Sequence, residues 1–461
     1  MNAPPATDPV HAAAAEALRG LVASQVAGAG TTRVCVALSG GRDSMVLLDT
    51  LARLAPGHGC TLTALHVHHG LSPHADAWAA FCAAECAGRG VALAVVRVHV
   101  DRTPGESLEA AARAIRYAAL ANADADVVAL AHHADDQAET LLLQLLRGAG
   151  PRGLAAMATM RGGGTTPALI RPLLALRRAD IEDCAAALAI RWIDDESNAD
   201  TRLKRNYLRH EIAPRLAAAF PGYPGTLTRV AAHQAEAAGL LDDLAGLDAR
   251  GTIVDDGGQG ATLDRAALAA LPPARARNLL RWFLRSHGLP APSAARLAAM
   301  LCQLCGAGPD ARVRLAHGGR ELGLHRGRIV VHAPPIAPYA VQWRGEAALT
   351  LPHGVLEWVP ARDAGIAAGA LAAAPVVVRR RDGGERMRLA PDRPRQSLKG
   401  LLQRAAMPTW ERAALPLVFC GDALAAVPGI GVDVAFQAGP GSHGYALRWR
   451  PSVPALASGT G

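Results

Sequence analysis

Asp136 and Glu139 stand three residues apart in "LAHHADDQAETLLLQLL", a spacing that puts both carboxylates on one face of a helix. A carboxylate pair can hold a cation or accept a proton. Earlier in the chain, Ser39-Gly40-Gly41-Arg42-Asp43-Ser44 follows an apolar run and precedes a helical pattern. Strand, glycine loop and helix in that order aim backbone N–H groups and a helix dipole at an anion such as phosphate. The glycines allow close approach of backbone, and the serine hydroxyls add donors. The loop is not G-x-x-x-x-G-K-S/T, because no lysine follows to reach the β- and γ-phosphates, and it is not G-x-G-x-x-G. A plain Gly-Gly turn with Ser44 near the helix cap would also account for these six residues taken alone. Basic residues cluster in "SLEAAARAIRY", where Arg113 and Arg116 are three apart, and in "KRNYLRHEI", which holds Lys204 and Arg205. The bland alternatives are solvated helix faces for the arginines and an acidic first turn for Asp136 and Glu139.

The elements that must position these residues are legible as an alternation. Short apolar runs at Arg33–Leu38, Leu62–Val67, Leu93–Val98 and Val127–Ala131 read as strands. Helical periodicity covers Ser44–Leu54, Ala75–Gly88, Glu106–Ala123 and Asp135–Arg147. Near-continuous apolar strands alternating with helices predict an α/β fold, a Rossmann-like, mostly parallel sheet with helices on both faces. Ligands of such sheets bind beyond the carboxyl ends of the strands. The first strand leads there into SGGRDS, the second into "HVHHGL" and the fourth into "HHADDQAET". His66, His68, His69, His132 and His133 fall at those ends, with no spacing that specifies a metal. Past the first domain, 1–224, a mainly helical middle domain is expected over 225–345, a Pro/Ala/Gly-rich linker over 346–374 and a small α+β domain over 375–455.

Composition bounds the rest. The chain has 461 residues, half of them hydrophobic, enough for two or three domains. Its net charge is +8 and its pI near 9.4, which permits a polyanionic partner. From Val376 to Leu415, ten Lys/Arg face four Asp/Glu, a net of +6 and most of the excess. Lysine occurs only at 204 and 399, which a proteome-wide preference for arginine would explain. Eight scattered cysteines do not form a disulfide framework, and the single Cys302-x-x-Cys305 falls short of a four-ligand zinc site. The chain shows neither a leader pattern nor a spanning apolar run, so a cytoplasmic protein without membrane association is expected.

SGGRDS after an apolar strand resembles the PP-loop of N-type ATP pyrophosphatases, which split ATP into AMP and pyrophosphate. SGGRDS, HVHHGL, EAAARAIRY, HHADDQAET, RPLL, DDESN and KRNYLR, in this order, resemble the tRNA(Ile)-lysidine synthase family. The likeness covers nearly the first 220 residues and returns in "RRDGGERMRL" and "SLKGLLQRAAMPTWERAALPLVF" near the C-terminus. It implies that 1–224 is a PP-loop ATPase domain in which Ser39, Gly40, Gly41, Arg42, Asp43 and Ser44 hold ATP. By the same likeness Asp43 helps hold Mg2+, and the missing lysine fits a different cut in the nucleotide. Further, ATP adenylates the C2 oxygen of the wobble cytidine in the CAU anticodon of an isoleucine tRNA. Free L-lysine then displaces AMP. Asp136 and Glu139 are the lysine and reaction-site candidates, and Arg113 and Arg205 would stabilise negative charge. Lys204, Arg380, Arg381, Arg395 and Lys399 would contact the tRNA. The alternatives are a tRNA thiolase of the same class, a small-molecule ligase of the NAD- or GMP-synthetase kind, or a non-catalytic, ATP-gated RNA-binding protein. Monomer and homodimer are both open.

Overall fold

The computed structural model describes residues 8–23, 31–100, 108–255, 261–308 and 313–452, which divide into two compact units at Leu241/Asp242. The first runs α1 (Pro9–Ala23), β1 (Thr32–Ala37), α2 (Arg42–Leu54), β2 (Cys60–His68), α3 (Ala75–Ala87), β3 (Ala92–Arg97), α4 (Leu108–Ala121), β4 (Val127–Ala129) and α5 (Ala134–Leu146). It continues through α6 (Pro151–Leu154), β5 (Met160–Arg161), β6 (Ala168–Ile170), α7 (Arg178–Ala187), α8 (Lys204–Tyr207) and α9 (Ala213–Ala219), and the unit boundary falls within α10 (Tyr223–Ala249). Glu106, at the start of the expected third helix, lies outside the described residues.

The sheet has the order β3-β2-β1-β4-β6-β5. All its pairings are parallel except the short β5–β6 pair. Alternate side chains of β1 go to opposite faces, as the two-residue period requires. Val34 and Val36 join the core formed with α1, α2, α3 and α7, whereas Cys35 packs with Leu65, Leu120 and Val128 on the other side. The chain builds outward from β1 through β2 to β3, then returns to lay β4 on β1's other edge. That reversal opens a crevice between the carboxyl ends of β1 and β4, where sheets of this kind bind ligands. The glycine loop and the acidic helix start flank it.

In the second unit, helices Arg265–Ala270, Pro273–Ser286 and Ala294–Gly306 pack on a five-stranded antiparallel sheet around Leu279, Phe283 and Leu322. The stretch 346–374 is not a linker. It carries strands Ala348–Leu351 and Gly354–Arg362, and the second pairs along its whole length with His443–Pro451. Alternating burial along Gly354–Trp358 drives this, with Trp358 fully inside. The abundance of Ala, Gly and Pro disguised a strand pattern. Ala340–Trp343 likewise pairs with Val376–Arg379, so the C-terminal fold begins well before Pro375. Among the described residues no helix is long and apolar enough to cross a membrane.

Candidate active site

The glycine loop is shaped by what lies behind it. Gly40 has φ +86°, a left-handed conformation that L side chains rarely adopt. A Cβ there would lie 2.9 Å from Ile193 Cδ1 and 3.1 Å from Cys82 Sγ. The Ile193 N–H donates to the Gly40 carbonyl at 2.9 Å and fixes the turn from the same side. Ser44 Oγ donates to the Gly41 carbonyl at 2.8 Å and stands 3.0 Å from Ser39 Oγ. Gly41 caps α2 without a side chain, so the first turn has no side-chain cap, while the loop's own Ser39 and Gly41 N–H groups donate to Ser44 Oγ and Ser39 Oγ, each at 3.3 Å. These features fit an anion cradle. Arg42 departs from expectation: its guanidinium reaches Glu182 of α7 at 2.6 Å and Asp43 at 3.3 Å.

Asp43 leads to the second cluster through His133, the residue just before α5. His133 Nε2 is 3.6 Å from Asp43 Oδ2 and 3.5 Å from Asp136 Oδ2, and its Nδ1 is 3.5 Å from Asp135. Burial opposes charge on this imidazole, but Asp135, Asp43 and Asp136 outweigh it and raise its pKa to about 10. It is therefore an imidazolium at neutral pH. Asp43 is held below its usual range by His133 and Arg42 in spite of burial. Asp136 is held well below its range against the same penalty by His133, Arg205, His132 and Arg209.

Helix periodicity on α5 does bring Asp136 and Glu139 to one place, both buried. Arg205 Nε donates to Glu139 Oε2 at 2.7 Å and its Nη2 to Asp136 Oδ1 at 2.9 Å. Arg209 was not singled out by sequence reasoning. Its Nε donates to Glu139 Oε1 at 2.7 Å, and its Nη2 to Glu139 Oε2 at 3.0 Å and Asp136 Oδ1 at 3.1 Å. Arg205 and Arg209 are four apart, a usable signal in "KRNYLR". Between α8 and α9 the helix opens into one π-turn, Leu208–Ile212. Pro214 explains it, because a proline lacks the N–H and its ring clashes with the carbonyl four residues back. Such turns recur at functional sites.

Arg113 is exposed, and the structure ties it to its own helix: Nη2 donates to the Tyr117 hydroxyl at 3.3 Å, and the guanidinium lies 5.1 Å over that ring. Its charge still reaches His132, whose pKa burial lowers to about 3 with Arg171, Arg205 and Arg113 assisting against Asp136. His66 Nδ1 bonds the Leu38 carbonyl at 2.9 Å and is structural, while His68 meets Asp76 at 3.1 Å. Both ring nitrogens of His69 are buried without a hydrogen-bond partner. Cys82, behind the loop, has its thiol pushed up to about 12 by burial, Cys86 and Glu85, the opposite of an activated nucleophile.

The C-terminal candidates separate into two sets. Arg380 Nη1 donates to the Ile336 carbonyl at 2.8 Å, and Arg381 pairs with Glu385 at 3.2 Å. Glu385 also accepts the N–H groups of Asp382 and Gly383, each at 2.8 Å, so the Asp-Gly-Gly-Glu turn holds its own anion. Arg395 is exposed, 3.5 Å from Asp433, and Lys399 is exposed at the start of helix Leu398–Arg404. Arg393 and Arg404, also exposed, line a cavity of about 270 Å³ with Gln396. Lys204 is exposed at the start of α8.

A parallel sheet with a glycine phosphate loop at its first strand and a charged helix start at its fourth defines a PP-loop nucleotide-binding protein, and the PP-loop domain family matches residues 12–216. The TilS substrate binding domain matches 263–330 and the TilS substrate C-terminal domain 376–449. Relatives extend over nearly the whole chain. The tRNA(Ile)-lysidine synthase of Azoarcus sp. (strain BH72) is 45% identical over 427 residues, 92% of this chain and 93% of that protein. That of Nitrosomonas europaea is 43% identical over 430 residues, covering 91% and 92%. That of Burkholderia pseudomallei is 41% identical over 466 residues, covering 92% and 94%. The chain belongs to the tRNA(Ile)-lysidine synthase family.

Proposed function

We propose that this chain joins free L-lysine to C2 of the wobble cytidine in the CAU anticodon of an isoleucine tRNA, in the cytoplasm, through an adenylated cytidine. The observation that carries the reading is the continuity of the site. A phosphate loop and a carboxylate–arginine cluster share one crevice, bridged by His133 at 3.6 Å from Asp43 and 3.5 Å from Asp136.

In the first step the cytidine C2 oxygen attacks the α-phosphorus of ATP, and the bond to pyrophosphate breaks. The first-turn N–H groups of α2 and the helix dipole hold the departing anion, and charge developing on it is met by donors already in place. Asp43 would supply one carboxylate to a Mg2+ ion, which would neutralise phosphate charge. Mg2+ is commonly held by one or two carboxylates together with substrate phosphates, an arrangement open to Asp43 beside the phosphate loop. In the second step the lysine ε-amine, having lost a proton, attacks C2. A carbon–nitrogen bond forms, the carbon–oxygen bond breaks, and AMP leaves with that oxygen. Asp136 and Glu139 position the amine, and Arg205 balances their charge and the departing phosphate. An anticodon loop suits this chemistry, because its bases can be splayed out of the stack. Arg393, Arg395, Lys399 and Arg404 are exposed cations available to the tRNA backbone, as is Lys204 on α8.

The test is incubation with ATP, Mg2+, radiolabelled lysine and an isoleucine tRNA transcript bearing CAU. Label should enter the tRNA only with all components present. Folded protein that transfers none would sink the reading, and a methionine tRNA transcript measures discrimination.

A further inference from the structure

The carboxylates assigned to the lysine amine are already taken. Glu139 Oε1 accepts from Arg209, Glu139 Oε2 from both Arg205 and Arg209, and Asp136 Oδ1 from both as well. Asp136 Oδ2 accepts the His133 backbone N–H at 3.2 Å. Every oxygen of the pair therefore has a donor from the chain itself. An ammonium group carries three donors on a compact charge and needs acceptors of its own. One lone pair on Glu139 Oε1 and one on Asp136 Oδ2 stay open, too few for three ammonium N–H groups, so the ammonium gains its full set of acceptors only where a guanidinium leaves.

The surroundings indicate which one leaves. Arg205 stands on a regular turn whose next residue, Asn206, is buried and donates to the Asp200 carbonyl at 3.1 Å. Arg209 stands on the π-turn Leu208–Ile212, where the helix ladder is already widened. Burial opposes its charge, but Glu139, Asp136 and, in the phosphate loop, Asp43 hold Arg209 charged. A guanidinium fork fits phosphate as well as carboxylate, so moving it exchanges one charge-assisted pair for another. With Arg209 gone to phosphate, an ammonium restores the charge balance of Asp136 and Glu139 against Arg205.

We propose that Arg209 is a two-position switch: it fills the ammonium site of Asp136 and Glu139 before nucleotide binds, and passes to the triphosphate when ATP enters, so that lysine binds second. This rests on the functional reading above and adds an order of binding to it. The apparent affinity for lysine is lowered by the fraction of molecules in which Arg209 still fills the site.

The experiment is equilibrium dialysis of radiolabelled lysine against the full chain and tRNA, with and without α,β-methylene ATP and Mg2+. Wild type should bind lysine about tenfold more tightly with the analogue, within the usual range of such couplings. In Arg209→Gln the two affinities should agree within about twofold, because the site is open either way. A wild-type ratio near one, or an Arg209→Gln ratio equal to wild type's, overturns the switch. Should that variant not fold, amide exchange in wild type decides. The analogue alone should change exchange at Leu208–Ile212, and lysine alone should not; failure of either overturns it. No lysine binding to the analogue-loaded wild type would sink the functional reading itself, and the switch with it.

Discussion

Ile193 donates its backbone N–H to the Gly40 carbonyl at 2.9 Å, and its Cδ1 stands 2.9 Å from where a Gly40 side chain would begin. One residue thus holds the phosphate loop in place and closes the space behind it. Gly40→Ala should cost about 1–3 kcal/mol of loop geometry, and the Michaelis constant for ATP should rise roughly 5- to 150-fold. Gly41 has φ −72° and meets only Ser39 Oγ at 3.5 Å, so Gly41→Ala should leave the fold intact. ATP-dependent pyrophosphate release, measured for both variants, checks the contrast.

Glu139 accepts three hydrogen bonds from Arg205 and Arg209 while almost fully buried. Glu139→Gln leaves two cations facing Asp136 alone. It should destabilise the chain by about 3–5 kcal/mol and lower lysidine formation about 100-fold or more. Glu182, the half-exposed partner of Arg42, should cost under about 1 kcal/mol when changed to Gln. Denaturant unfolding of both variants, beside the label-transfer assay, separates the buried pair from the surface one.

In the C-terminal domain the division of cations gives a salt test. Replacing Arg393, Lys399 or Arg404 by Ala should weaken tRNA binding, and each should lower the slope of log affinity against log salt by about one. Arg381→Met should leave that slope unchanged, because its guanidinium serves Glu385. Titrations over a range of salt concentrations decide it.

Glu385 should make this domain acid-labile. Burial pushes its carboxyl up, but the backbone N–H groups of Gly383, Glu385 and Asp382 and the Arg381 guanidinium outweigh that and hold it below the usual range. A carboxylate with a depressed folded pKa adds stability above its unfolded value, near ~4.3, and loses it as pH falls through the folded value. Glu385→Gln should therefore cost about 1.5–3 kcal/mol at pH 7, with the gap to wild type closing as pH drops below about 4. Thermal unfolding of both proteins across that range is the measurement.

The sequence by itself determined four of the five parallel strands among the described residues, β6 (Ala168–Ile170) being the one unread, the loop at the end of β1 and the shared face of Asp136 and Glu139. Each of these follows from backbone periodicity over a few residues, which the order of side chains sets directly. Only the tertiary structure decided which charges meet. Arg209 finds Glu139 across 70 positions of chain, Arg42 turns to Glu182 across 140, and Arg380 goes to the Ile336 carbonyl. It also decided that Gly354–Arg362 is a strand, since its partner His443–Pro451 comes from the far end of the domain. A charge or a strand edge is satisfied by whatever group the fold brings within hydrogen-bonding reach, and no local pattern records that distance.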